Sequence, residues 1–344
     1  MRLGIIARSD NTGLGNQTRE LVNMLNPTKI MLIDSTPFNK NNQHPEWYNR
    51  YNIHPVRGFP KANDITEFIS GLDVVLTCET FYNHQFIDLA RRAGVKTVLQ
   101  YNYEFLDHLN NKELGIPDVF LGPSLWNFDR MTELFGDRTN VYHLPPPTDH
   151  TLFDGVRENN YSKHHNRILH IGGKAASEDR NGTNSVVEML KYSQEDFQVV
   201  IRTQTPLSIQ SNNPRLIIEN SNSENREAMY DGFDAMVLPR RYAGLCLPMN
   251  EALMSGLPVF MTDISPNNKI LPQEWLANSN RIGALRTRAI LDVYDADPRN
   301  LARIVDGYMR EKNTTTEKQK AFDIGMNNFS VENLKQKYLD ILEK

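Results

Sequence analysis

The sequence predicts an α/β protein of two successive doubly wound domains, and three observations carry that reading. Short apolar runs rich in Val, Ile and Leu alternate with longer amphipathic segments, the mark of parallel sheets covered on both faces. The alternation lapses once, over 144–166, and then restarts. The length of 344 residues suits two cores of ~150–200 residues each.

Taken in order, RLGIIA (2–7), KIMLID (29–34), DVVLT (73–77), KTVLQY (96–101), DVFLG (118–122) and NVYHL (140–144) read as strands. Between them lie the helical patterns NQTRELVNML (16–25), HQFIDLARRAG (84–94) and SLWNFDRMTELFG (124–136). LPPPTDHTLFDGVRENNYSKHHN (144–166) is rich in proline, asparagine and charge, has no periodicity, and reads as an interdomain linker. The second half gives RILHIGG (167–173), FQVVIRT (197–203), RLIIE (215–219), DAMVLP (234–239) and PVFMTD (258–263), with TNSVVEMLKY (183–192) and NREAMYDGF (225–233) between them. The last ~50 residues read as helices, starting after Pro298 and again after Ser330. In such folds ligands sit at the C-terminal ends of strands, so two facing domains predict a cleft between them.

With 39% hydrophobic and 23% charged residues the chain is neither disordered nor fibrous. A net charge of -4 gives no global pull toward nucleic acid or an anionic membrane. Cys78 and Cys246 lie far apart, outside any metal-like spacing, and read as small buried side chains. MRLGIIARSDN is too short in apolar residues for a signal-peptide core of ~7–15, and no run nears the ~18 of a membrane span, so a cytoplasmic protein is expected.

Three constellations could carry chemistry. DNTGLGNQT (10–18) follows the first strand and opens the first helix, where Gly13 and Gly15 would let the backbone approach a phosphate or sugar. With Asp34 these glycines also imitate part of the nicotinamide-cofactor fingerprint, although Thr18 stands where its third glycine belongs. A plain βα turn capped by Asn16 is the bland alternative. IGGKAASEDRNG (171–182) places Lys174 and Arg180 at a strand end near a helix N-terminus, where two cations and free amides suit a diphosphate; a solvated loop with surface cations is the alternative. GLCLPMNEALMSGLPV (244–259) reads as a helix with Pro248 in its first turn and Gly256 at its C-terminal cap. Its one charge, Glu251, either complements the helix dipole, for ~0.3–1 kcal/mol, or needs a partner among Leu247, Met249, Leu253 and Met254, and a ligand hydroxyl pair is one candidate.

Together these loops resemble the retaining GT-B glycosyltransferases of the glycogen-synthase-like family four. PRRYAGLCLPMNEALMSGLPVFMTD is similar to that family's Glu, Gly-Phe-Gly, Glu-Ala-x-Ala-x-Gly-x-Pro-Val pattern. The resemblance implies that Glu251 holds the ribose hydroxyls of a nucleotide, and that Gly244, Leu245 and Cys246 meet the donor sugar and phosphates. Ala243 stands in place of the first glutamate, which in the family contacts the donor sugar. Lys174 and Arg180 match the phosphate pair with cation types exchanged, and Arg202, Gly13 and Gly15 join the donor set. VYHLPPPTDHTLF (141–153) resembles the segment before the family's linker, and NFSVENLKQKYLDIL (328–342) its closing helix. GLGNQT, VLQYNYEFLDH and PSLW are similar to segments of glycosyltransferases of phages and some bacteria. The domains so implied are an acceptor-side domain 1–150, a linker 151–166, a nucleotide-sugar domain 167–327 and a closing helix 328–344 packed back on the first.

The resemblance further implies transfer from a nucleoside-diphosphate sugar, most simply a UDP-sugar, with no other cofactor. In such a reaction the leaving diphosphate is stabilised and itself takes the acceptor proton, so no strong protein base is needed. Asn102 falls where the family places a histidine, which makes Asn102, Tyr103 and Glu104 candidates beside the transferred sugar, Glu104 as the acceptor-side polar group. Glu79, Asp10 and Asn11 are further acceptor candidates, with helix N-terminal acids as the plain reading of Glu79 and Glu104. Asp295 and Asp297 could chelate a metal, but Asp297 before Pro298 reads as a helix N-cap, and metal-independent transfer is expected. A modified base in DNA, a glycan, a lipid intermediate or a small molecule could be the acceptor. A nicotinamide-dependent oxidoreductase and a non-catalytic nucleotide-sugar-binding protein are the competing classes.

Overall fold

The computed structural model describes residues 1–344 apart from 39, 106–114, 174–178, 208, 210, 221–224, 243 and 312–313. Lys174 and Ala243, both singled out above, lie outside the described residues. Two units are built: Met1–Pro147 with Thr287–Ala289 and Val331–Lys344, and Thr148–Arg286 with Ile290–Ser330.

In the first unit a parallel sheet runs in the order β3-β2-β1-β4-β5-β6-β7. Its strands are β1 (Leu3–Arg8), β2 (Lys29–Asp34), β3 (Ile53–Arg57), β4 (Val74–Cys78), β5 (Lys96–Gln100), β6 (Val119–Gly122) and β7 (Asn140–His143). Alternate side chains feed two cores. Ile6, Met31, Val75 and Leu99 pack with Phe68 and Phe86 on one face, and Ile5, Ile30, Leu76 and Val98 pack with Leu21, Val22 and Tyr338 on the other. With both faces buried, the central strands have no polar alternation to show. The helix Val331–Glu343 supplies Leu334, Tyr338, Ile341 and Leu342 to this second core. It is fastened by Gln100, whose Nε2 donates to Tyr338 Oη at 2.8 Å and to Leu144 O at 2.7 Å, while Gln17 Nε2 donates to Gln100 Oε1 at 2.7 Å.

The second unit repeats the plan, with parallel order β10-β9-β8-β11-β12-β13. Its strands are β8 (Arg167–Gly173), β9 (Gln198–Thr203), β10 (Leu216–Asn220), β11 (Ala235–Leu238), β12 (Val259–Thr262) and β13 (Leu276–Ala277). Each sheet reverses its winding beside its first strand, between β1 and β4 and between β8 and β11, and such reversals open ligand crevices at the strands' C-terminal ends. A buried ion pair ties the helix Thr315–Phe329 to this unit: Lys318 Nζ lies 3.1 Å from Asp234 Oδ1 and donates to Asn160 O at 2.6 Å. Burial holds the Lys318 ammonium below its usual range against the pull of Asp234.

Several elements depart from the sequence reading. β3 carries Pro55, which argues against a strand, yet it pairs only with β2 at the sheet edge, where a missing N–H is tolerated. The stretch read as a linker contains the helix Asp154–Ser162, whose Asn160 is fully buried and donates to Tyr230 O and Ser255 O. Between 279 and 296 the chain forms an antiparallel hairpin, β14 (Ser279–Arg286) and β15 (Ile290–Ala296). The helix beginning at Pro298 is capped by Asp297, which accepts from Arg299 N and Asn300 N.

Candidate functional site

Beside the β8–β11 reversal the structure brings together Arg180 and the stretch that leads to Gly244, Leu245 and Cys246. Arg180 follows β8, its guanidinium lies 5.0 Å from the centre of the Tyr242 ring, and its carbonyl accepts from Arg241 N at 2.9 Å. The two cationic segments that end β8 and β11 are therefore adjacent. Gly244, in the left-handed half of backbone space at φ 130°, turns the chain toward Leu245 and Cys246, and Cys246 precedes the helix Leu247–Met254. One expectation fails at this end: the amides of Thr183 and Asn184 are not free for an anion. Asp179 already accepts from both, at 2.8 and 2.9 Å, and so caps the helix Thr183–Met189.

Glu251 is 5% exposed, and its partners are protein groups. Arg226 Nε donates to Oε1 at 2.7 Å and Tyr230 Oη donates to Oε2 at 2.6 Å, so no ligand hydroxyl is needed to satisfy it. Burial, and then the neighbouring Glu251 carboxylate, push the Tyr230 phenol well above its usual range and keep it a donor. Arg202 is likewise held by protein groups. Its Nε donates to Glu219 at 2.8 Å and its Nη1 to Ala228 O at 2.9 Å, which commits the guanidinium to β10 and the turn beyond it. Asp295, a metal candidate by sequence, pairs with Arg241 Nε at 2.6 Å.

The glycine loop of the first unit is a self-contained turn. A Cβ on Gly15 would lie 1.8 Å from Asp10 O, so the chain's own packing requires glycine here. Thr12, rather than Asn16, caps the helix Gly13–Leu25 by accepting from Gly15 N. Asp10 is fully buried and accepts from Arg8, from Thr12 Oγ1 at 2.5 Å and from Ser35 Oγ at 2.9 Å. Asn11 and Gly13 are exposed beside it, and Asn11 Oδ1 accepts from Asn16 Nδ2. Thr18 fills the third-glycine position and donates to Gly15 O at 3.0 Å.

The acceptor candidates that do converge lie at the ends of β4, β5 and β6. Asn102 Nδ2 donates to Glu79 Oε1 at 3.4 Å, and Glu79 holds the left-handed φ of 63° that non-glycine residues rarely adopt. A small pocket, partly open to solvent, is lined by Tyr101, Asn102, Tyr103, Ser124 and Trp126 among others. Tyr103 and Trp126 meet edge to face at 5.5 Å. Asn102 is buried, and its Oδ1 accepts no hydrogen bond within the protein. Glu104, half-buried on the turn Tyr103–Phe105, does not line this pocket. Trp126, in the PSLW stretch, and the pair Arg226 and Tyr230 were not singled out from the sequence; nothing local marks them, because each acquires its role from a partner 20 or more residues away.

No family model matches the chain, and no curated protein matches its sequence. Solved structures match its whole length. HepE of Anabaena, in complex with UDP and glucose, superposes with a TM-score of 0.68 at 9% identity, over 100% of this chain and 99% of that one. Sucrose-phosphate synthase of Thermosynechococcus elongatus gives 0.67 at 11%, over 99% and 98%. An alpha-glucosyltransferase in complex with UDP-glucose and DNA containing an abasic site gives 0.66 at 12%, over 100% of both chains. Two Rossmann-like domains with parallel sheets of seven and six strands, matched end to end by such structures, give this chain the GT-B fold.

Proposed function

We propose that the protein is a glycosyltransferase that moves a sugar from a nucleoside-diphosphate sugar, a UDP-sugar in the simplest case, to an acceptor hydroxyl with retention and without a metal. The observation that carries this reading is the cationic crevice at the β8–β11 reversal, where Arg180 and the Arg240-Arg241-Tyr242 segment lie together beside the Gly244–Cys246 turn. Diphosphate is the leaving group whose charge such a crevice stabilises as the bond from phosphate oxygen to sugar carbon breaks. The new bond forms to the acceptor oxygen, and its proton passes to the departing phosphate. Lys174 is assigned to the same diphosphate, and Glu251, which keeps lone pairs beyond the two bonds it accepts, to the ribose hydroxyls. Asn102, Tyr103 and Trp126 are assigned to the acceptor, with Glu79 holding the Asn102 amide. The oxidoreductase reading loses ground, because Gly15 and Thr18 are spent on their own turn.

A thermal-shift panel followed by turnover tests this. Stabilisation by UDP and not by nicotinamide cofactors, release of UDP from a UDP-sugar in the presence of chelator, and loss of that release in Lys174→Ala and Arg180→Ala are expected. Full activity in both variants would remove the diphosphate assignment. Chelator-sensitive turnover, restored by a divalent ion, would remove metal independence. Mass spectrometry of hydroxymethylated DNA incubated with donor and enzyme separates a DNA acceptor from a glycan or small molecule.

A further inference from the structure

Arg240 is a permanent cation that the fold buries without an opposite charge. It follows β11 and Pro239 and is 5% exposed. Its Nη1 donates to Leu245 O at 3.2 Å, while its Nε, fully enclosed, has no hydrogen-bond partner. Among the described residues no carboxylate pairs with it. Three other buried charges have a counter-charge: Glu251 has Arg226, Lys318 has Asp234, and Asp10 has Arg8. Even the next residue, Arg241, is neutralised by Asp295.

A guanidinium does not shed its proton, so burial leaves Arg240 charged, desolvated and uncompensated. An anion bound beside it would supply the missing counter-charge. The position fits: the hydrogen bond to Leu245 sets Arg240 against the Gly244–Cys246 turn, and the Arg241 to Arg180 backbone bond brings the β8 cation alongside. Both lie at the strand ends flanking the reversal of the second sheet. The sequence leaves this turn without the acidic residue that Ala243 replaces, so no carboxylate of the turn competes with an incoming anion.

We propose that Arg240 is a resident oxyanion anchor, a cation additional to Lys174 and Arg180, that takes the sugar-side phosphate of the donor. The site is incomplete without its ligand, and the ligand supplies the missing counter-charge. This assignment rests on the donor reading above for the identity of the ligand, but not for the presence of an anion.

The test compares wild type with Arg240→Met and Arg240→Gln, the latter keeping a donor for Leu245 O while removing the charge. Calorimetric Kd values are measured for inorganic pyrophosphate, UDP, UDP-glucose and UDP-glucuronate, with melting temperatures of the ligand-free proteins. Both variants are expected to weaken pyrophosphate and UDP at least tenfold, and Arg240→Met to melt no lower than wild type, because an unpaired buried charge has been removed. Unchanged affinity for all four ligands overturns the proposal whatever the melting temperature does. Loss confined to UDP-glucuronate keeps the oxyanion anchor and moves its ligand from phosphate to a sugar carboxylate. If wild type binds pyrophosphate through Arg240 but no nucleoside diphosphate, the anchor stands and the glycosyltransferase reading falls; if UDP binds wild type and both variants alike, the reverse holds.

Discussion

Glu251 is gripped from two sides, and that decides what its replacement does. The carboxylate is buried and balanced by Arg226, with Tyr230 completing it. Glu251→Ala leaves the Arg226 guanidinium buried without its charge partner, for which about 3–5 kcal/mol of stability is lost. Tyr230→Phe removes one charge-assisted hydrogen bond and is expected to cost about 1.5–3 kcal/mol. Denaturant unfolding of the two single variants and the double variant checks this. A Glu251→Ala loss below about 1 kcal/mol would show that the pair contributes little, as exposed pairs do. The sequence marked Glu251 as a charge needing a partner, and that much was legible; which partner was not, because Arg226 lies 25 residues upstream in a segment with no motif. The Arg240-Arg241 doublet was opaque for the same reason: two identical side chains take different partners, and Asp295, 54 residues on, reaches only the second.

At the scale of elements, His170 shows how strands and helix are locked in the second unit. It sits on β8, fully buried, with Nδ1 2.8 Å from Val237 O on β11 and Nε2 2.9 Å from Thr183 Oγ1 in the adjoining helix. A carbonyl can only accept, so Nδ1 carries the proton and Nε2 accepts from the threonine in the neutral ring. Burial drives its pKa down to about 4, against an ordinary value of 6.5. The unfolded chain then binds the proton more readily than the folded one, so stability falls as pH drops from about 6.5 toward 4, by about 3 kcal/mol at 1.36 kcal/mol per unit. His170→Gln is expected to flatten the pH dependence of unfolding over that window; an unaltered slope would assign it to other groups. Most strands of both sheets were legible because doubly buried strands are continuous apolar runs, as in KIMLID and DAMVLP. β3 was hidden by Pro55, and the helix Asp154–Ser162 by a buried Asn160 that contributes hydrogen bonds in place of an apolar stripe.

At the scale of the whole molecule, the chain leaves its first unit at Pro147 and, apart from the three residues Thr287–Ala289, returns to it at Val331. The returning helix is part of that unit's core, since Leu334, Tyr338, Ile341 and Leu342 are buried with Ile5, Leu76 and Val98. Each such side chain contributes about 1.5–3 kcal/mol on burial, so the four together supply on the order of 6–12 kcal/mol. That is comparable with the ~5–15 kcal/mol that holds a domain folded. The first unit is therefore contiguous in space but not in sequence, and a chain ending at Ser330 is expected to lose it cooperatively. Deleting 331–344 should abolish the cooperative unfolding transition of the first unit and expose its apolar face to a hydrophobic dye. Tyr338→Phe, which removes only the hydroxyl bonded to Gln100 and Pro145, should cost about 0.5–1.5 kcal/mol and keep that transition. A truncated chain that still unfolds as two cooperative units would show that the sheet and its own helices suffice, and that the last helix merely rests on them.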